Sequence, residues 1–288
     1  MSFLKSMFGT EQPVIGLIHL HALPGDPFYR GEGMTAVIDA AGQDLEALQA
    51  GGIDGVLFTN EFSLPYEQRV SPVTLAAMGM VIGALRSRIR VPFGAEAIFD
   101  GDATMELCAG VEADFTRCMF TGVWAGDLGL IDRNIAATLR RKYALRLDTL
   151  KLFYFVTSEG DACVGGRTPA QIAASLLTNC RPDALVVGGN APGISPGGSL
   201  LEDVAAFAGE VPVICGTGLR QDNLSELLPR CSGAFVGTAL KKDGKLENPV
   251  DPDRVIRFME TVRRLREDSY DLRPGAAGDE TGRRLKGD

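Results

Sequence analysis

Val213-Ile214-Cys215-Gly216-Thr217-Gly218 and, a short helix-sized segment later, Ala234-Phe235-Val236-Gly237-Thr238-Ala239-Leu240-Lys241 decide the fold of this chain. Each stretch is an apolar β-rich run closed by glycine and threonine. Continuous apolar runs, rather than strict alternation, are expected of parallel strands covered on both faces. Six similar runs precede them, at residues 14–20, 55–59, 93–99, 114–120, 150–156 and 184–187. Helix-like segments fill the intervals. Residues 33–50 carry Val37, Leu45 and Leu48 on one side and stop at Gly51-Gly52. Thr168-Pro169 with Gln171, and Ser199 with Glu202, read as capping boxes. Residues 251–266 repeat apolar side chains at helical spacing. Eight β/α units over this length predict a (β/α)₈ TIM barrel across residues 1–266, with a polar, flexible tail at 267–288. A doubly wound open sheet is the second choice.

The length and composition agree with an ordered globular domain: 288 residues, 45% hydrophobic and 23% charged. The 35 glycines, about 12% against a usual ~7%, call for many tight turns or close backbone approaches. A net charge of −8 gives no footprint for nucleic acid. No apolar run reaches the ~18 residues of a membrane span, and the start carries no secretory signal. Six scattered cysteines without a C-x-x-C pair point to reduced thiols, hence a cytoplasmic protein. A homo-oligomer is expected.

In such a barrel the site lies at the C-terminal ends of the strands. Loops seven and eight then form a phosphate site from Gly216, Thr217, Gly218, Gly237 and Thr238, where an absent side chain lets backbone N–H groups reach the oxygens. The alternative is an ordinary tight turn. Both histidines of the chain stand together as His19-Leu20-His21, and residues two apart on a strand share a face. That pair suits acid–base work or, with a carboxylate such as Glu61 or Glu96, a divalent metal. No cofactor is firmly implied. Glu96 lies inside an apolar strand, so it needs a partner, and Arg117 on the next strand is the obvious one. The pair is either a structural bridge or an anion-binding arginine beside a base. The Gly-rich loop 157–167 is a lid or a plain surface loop. Cys215 has no assigned base and is not expected to be a nucleophile.

Several of these segments carry a family resemblance. They are Ile15-Gly16-Leu17-Ile18-His19-Leu20 with Ala22-Leu23-Pro24-Gly25, Gly52-Ile53-Asp54-Gly55-Val56, and Gly110-Val111-Glu112-Ala113-Asp114-Phe115-Thr116-Arg117. The later ones are Cys215-Gly216-Thr217-Gly218 with Asn223, Gly237-Thr238-Ala239-Leu240-Lys241-Lys242-Asp243-Gly244, and Asn248-Pro249-Val250-Asp251. Over residues 12–266 the chain resembles the BtpA/SgcQ family of TIM-barrel proteins. The resemblance implies a barrel of the ribulose-phosphate-binding type. It also implies kinship with proteins of photosystem I biogenesis and of carbohydrate-uptake clusters. Two segments depart from the family pattern: Thr59-Asn60-Glu61-Phe62-Ser63-Leu64-Pro65-Tyr66 after strand two, and Thr157-Ser158-Glu159 where a Lys-His pair is usual.

The expected function is an enzyme on a small phosphorylated metabolite, a sugar phosphate, with isomerase, epimerase or aldolase-type acid–base chemistry. His19, Glu61 and Glu96 would move protons and Arg117 would stabilise negative charge. The alternatives are a non-catalytic assembly factor and a metal-dependent phosphoester hydrolase built on His19 and His21.

Overall fold

A computed structural model describes residues 2–191 and 193–271; the expected tail from 272 onward lies outside the described residues. Eight parallel strands close a barrel: β1 (Val14–His19), β2 (Gly55–Thr59), β3 (Phe93–Glu96), β4 (Phe115–Cys118), β5 (Lys151–Phe155), β6 (Ala184–Val187), β7 (Val213–Cys215) and β8 (Ala234–Val236). Each pairs with its neighbours in sequence, and β1 joins β8 to shut the ring. All eight runs read from the sequence are therefore the barrel strands.

Strand alternation separates two cores. Inward-facing Ile15, Leu17, Leu57, Phe115, Phe153, Val186, Ile214 and Phe235 fill the barrel. Outward-facing neighbours such as Val14, Ile18, Val56, Phe58, Ala95, Leu152 and Leu185 pack against the helices. Phe115 stacks on Phe153 at 5.6 Å, and Phe153 meets Phe235 edge-on at 6.0 Å. An N-terminal helix, α1 (Phe3–Phe8), which the sequence reading did not anticipate, closes the bottom. Its Phe8 packs on Phe115 and its Phe3 on Phe153.

Aspartates staple the strand starts in pairs. Asp54, Asp114 and Asp183 accept the N–H of Val14, Phe93 and Leu152 at 2.8–2.9 Å. Each of these donors opens or lies at the start of the preceding strand. Buried strand ends therefore keep their amides satisfied.

Besides α1, the helices differ from the sequence reading in two places. The capping box at Thr168 forms as expected on the helix Pro169–Asn179. That at Ser199 does not: the helix begins at Gly198 behind Gly197 at φ +75°, and Glu202 pairs with Arg230 instead. The last helix runs Pro252–Asp271, beyond the expected stop at 266. A small antiparallel sheet of Val123–Gly126, Gly129–Asp132 and Ala162–Cys163 was also unforeseen. It converts part of the Gly-rich 157–167 loop into an edge strand. Its turn reaches across the barrel mouth, where Gln68 donates to the Leu128 carbonyl at 2.6 Å. No helix among the described residues is long and apolar enough to cross a membrane.

Candidate active site

The inward-facing rows continue past the apolar core, one step further along each strand. Leu17 leads to His19, Gly94 to Glu96, Phe115 to Arg117, Phe153 to Phe155, Ile214 to Gly216 and Phe235 to Gly237. These successors line a cavity of about 890 Å³ at the C-terminal mouth of the barrel. Register levels its floor, because His19 lies opposite Thr59, which lies opposite Glu96.

Glu96 and Arg117 meet as expected. Arg117 Nε donates to Glu96 Oε2 at 2.9 Å, Nη1 donates to the Gly216 carbonyl at 3.1 Å, and the guanidinium lies 4.5 Å from the Phe235 ring centre. Burial pushes the Glu96 carboxyl up, and the bonded guanidinium opposes that push.

His19 is 5% exposed and its Nδ1 has no hydrogen-bond partner. Burial first, then the charges of Lys241 and Arg117, hold its pKa well below the ordinary value, so the ring is neutral. Its Nε2 stands 3.9 Å from Glu61 Oε2. With a neutral imidazole this is a polar contact and not an ion pair. Glu61 is pushed up to about 7, chiefly by burial and further by Glu159 and Glu96, against Arg117. A neutral imidazole beside a half-ionised carboxyl can pass a proton near neutral pH.

His21 departs from expectation. The strand ends at His19, so the alternation that would bring both rings to one face stops there. His21 is exposed and stands edge-on to Phe62 at 5.9 Å, away from the cavity lining. Among the described residues no three His, Cys, Asp or Glu side chains converge as metal ligands would. The expected His19–His21 metal pair therefore does not assemble.

Gly216, Thr217, Gly218, Gly237 and Thr238 all line the cavity, yet protein already fills the space that a side chain at each of the three glycines would take. A Cβ at Gly237 would lie 2.6 Å from His19 Cε1, and one at Gly216 2.7 Å from Val186 Cγ1. At Gly218, with φ +73°, it would lie 2.2 Å from the Ser195 nitrogen. The Thr217 hydroxyl is engaged too, donating to the Ile194 carbonyl and accepting from Gly189 N–H. What remains for an anion is backbone: Thr238 and Ala239 lead a 3₁₀ turn (Thr238–Leu240), where amides lack an intrahelical acceptor. Arg254, fixed by its bond to the Ala239 carbonyl at 3.0 Å, borders the same wall.

Gly218→Ala is accordingly expected to destabilise the protein by about 1–3 kcal/mol, since a backbone atom must move and the left-handed conformation is strained. Gly79→Ala, in the helix Pro72–Leu85 with nothing near its Cβ, should stabilise by about 0.5–1 kcal/mol. Thermal unfolding of both variants checks the contrast.

Sequence reasoning missed Phe155 and Arg254, and it marked Glu159 and Tyr66 only as departures from the family pattern, with no role assigned to either. Phe155 could have been found by stepping two residues from Phe153. Tyr66 donates to the Glu61 carbonyl at 3.0 Å, positioning that loop, but nothing local marks that role. Lys241 is buried against Asp44 at 3.8 Å, outside the cavity lining. Burial raises the Cys215 thiol, which keeps it unreactive.

Comparison with known proteins agrees with the fold. A BtpA family model matches residues 10–264. The chain is 42% identical to the putative sgc region protein SgcQ of Escherichia coli, over 92% of this chain and all of that one. It is 32% identical to the photosystem I biogenesis protein BtpA of Synechocystis, covering 90% and 91%. Among solved structures, it resembles (S)-3-O-geranylgeranylglyceryl phosphate synthase from Thermoplasma acidophilum, in complex with sn-glycerol-1-phosphate. That match has TM-score 0.56, 14% identity, and coverage of 91% and 99%. Phosphoribosyl anthranilate isomerase from Thermus thermophilus gives TM-score 0.52 at 14% identity, covering 88% and 100%. These structural likenesses concern the fold.

Proposed function

This chain belongs to the BtpA family, and on that premise we propose that it is an enzyme of small phosphorylated metabolites that moves a proton next to a carbonyl. The observation that carries the reading is Glu61. Its carboxyl is poised near 7 and lies 3.9 Å from a neutral His19, on the floor of a large cavity at the strand C-termini. Burying a carboxyl without a bonded cation is costly, and groups perturbed in this way cluster at functional sites.

In this reading Glu61 takes and returns the proton. Neutral His19 donates a hydrogen bond to the developing oxyanion, and Arg117, held by Glu96, supplies fixed positive charge. The phosphate rests on the amides after β7 and β8, at Gly218 and at Thr238–Ala239, beside Arg254. Barrels commonly place a phosphate there. That the neighbouring synthase is bound to a glycerol phosphate supports this assignment.

The test is a thermal-shift screen of sugar phosphates against their unphosphorylated forms. A true ligand at a hundredfold its Kd should add about 2.7 kcal/mol of stability. Identical melting with and without the phosphate group, across the panel, would remove the reading.

A further inference from the structure

The charges inside the cavity do not balance, and Glu159 is where the imbalance concentrates. Carboxylates on the lining outnumber guanidiniums six to three. At the rim, Arg220 is engaged by Asp222 at 3.2 Å. On the floor, Arg117 is engaged by Glu96. Glu159, on the loop after β5, is left without a bonded cation, and its Oε1 is buried with no hydrogen-bond partner. The loop that carries it is fixed, because the Thr157 hydroxyl accepts from Gly188 N–H at 2.7 Å and donates to the Gly188 carbonyl at 3.2 Å. Across the barrel, at the end of β1, almost fully buried His19 leaves Nδ1 unpartnered as well. Both side chains line a cavity large enough for a metabolite.

We propose that the ligand of this cavity carries an ammonium group received by Glu159, so that its class is an amino-sugar phosphate rather than a neutral sugar phosphate. This rests on the phosphometabolite reading above; the amine is what it adds. A ligand hydroxyl would supply a donor to the carboxylate but leave its negative charge uncompensated. An ammonium does both, and a phosphate bound elsewhere in the cavity deepens the need for a cation. Burial already pushes the Glu159 carboxyl above its ordinary range, with Arg117 and Thr217 opposing, as expected of an acid awaiting a counter-charge.

Calorimetric titration of the full chain with four probes tests it: glucosamine 6-phosphate, glucose 6-phosphate, glucosamine and glucose, each against wild type and Glu159→Gln. Within each pair, wild type should bind the amine about tenfold to a hundredfold tighter than the hydroxyl. Glu159→Gln, which keeps the shape and removes the charge, should bring that ratio close to one. A wild-type ratio near one, a ratio that survives in the variant, or no binding of either amine would overturn the proposal. The wild-type ratio stands as a test even if the variant fails to fold. Failure of the phosphate reading registers on the other axis: phosphorylated and unphosphorylated members would bind alike while the amine preference persisted.

Discussion

Arg117→Met is expected to lower folding stability by about 3–5 kcal/mol at neutral pH, the cost of stranding a buried carboxylate. Arg117 bonds Glu96 Oε2 and the Gly216 carbonyl and packs over Phe235, so one side chain ties β3, β4, β7 and β8 together at the mouth. Without it, Glu96 keeps its burial and has Glu61 and Glu159 for company on the cavity wall. The loss must depend on pH. With its counter-ion removed, the folded pKa of Glu96 rises further above the unfolded value. The stability linked to it is then present below the unfolded pKa and lost as pH rises through the folded one. Urea unfolding should therefore show a larger deficit at pH 8 than at pH 5. Adding Glu96→Gln to Arg117→Met should recover much of the deficit at the higher pH. An Arg117→Met protein as stable as wild type at both pH values would dismiss the buried pair as a structural element.

Glu61→Gln is expected to act in the opposite direction on stability. The folded pKa of Glu61 is raised from 4.5 to about 7. Its contribution is thus fully present below the unfolded value and is lost as pH climbs through about 7. Above that, ionising the buried group costs the wild type about 3 kcal/mol relative to acid. The glutamine variant carries no such group. It should match wild type near pH 4–5 and exceed it by roughly that amount at pH 8. On whichever substrate the screen identifies, the same variant should lose about 10²–10⁴ in turnover. More stability with less activity is the mark of a residue kept for chemistry. Equal stability at pH 8 would show that Glu61 is solvated enough to titrate ordinarily, and the acid–base assignment would fall with it.

Much of this site was legible one residue at a time. Alternation with period two, extended from the core residues Leu17, Phe115, Ile214 and Phe235, leads to His19, Arg117, Gly216 and Gly237. The Glu96–Arg117 pair followed from the cost of an unpaired buried carboxylate, and it forms. The His19–His21 pair did not, because alternation holds only while the strand continues, and β1 ends at His19. The reason for the glycines at 216, 218 and 237 was also displaced. Their missing side chains make room for Val186, for the backbone at Ser195 and for the His19 ring. A sequence shows that a side chain is absent but not which atoms take its place.

What the sequence determined by itself was the barrel. Eight apolar runs spaced by helical segments can bury both faces of their strands in few other ways, and that pattern is local, written in each run. What only the tertiary structure decided was which groups are charged and which are alone. Glu61 is poised near 7 and His19 is neutral through desolvation, together with the fields of Arg117, Lys241, Glu96 and Glu159. Those residues are scattered from position 19 to position 241. They meet only when β8 closes against β1, and no local pattern carries their sum.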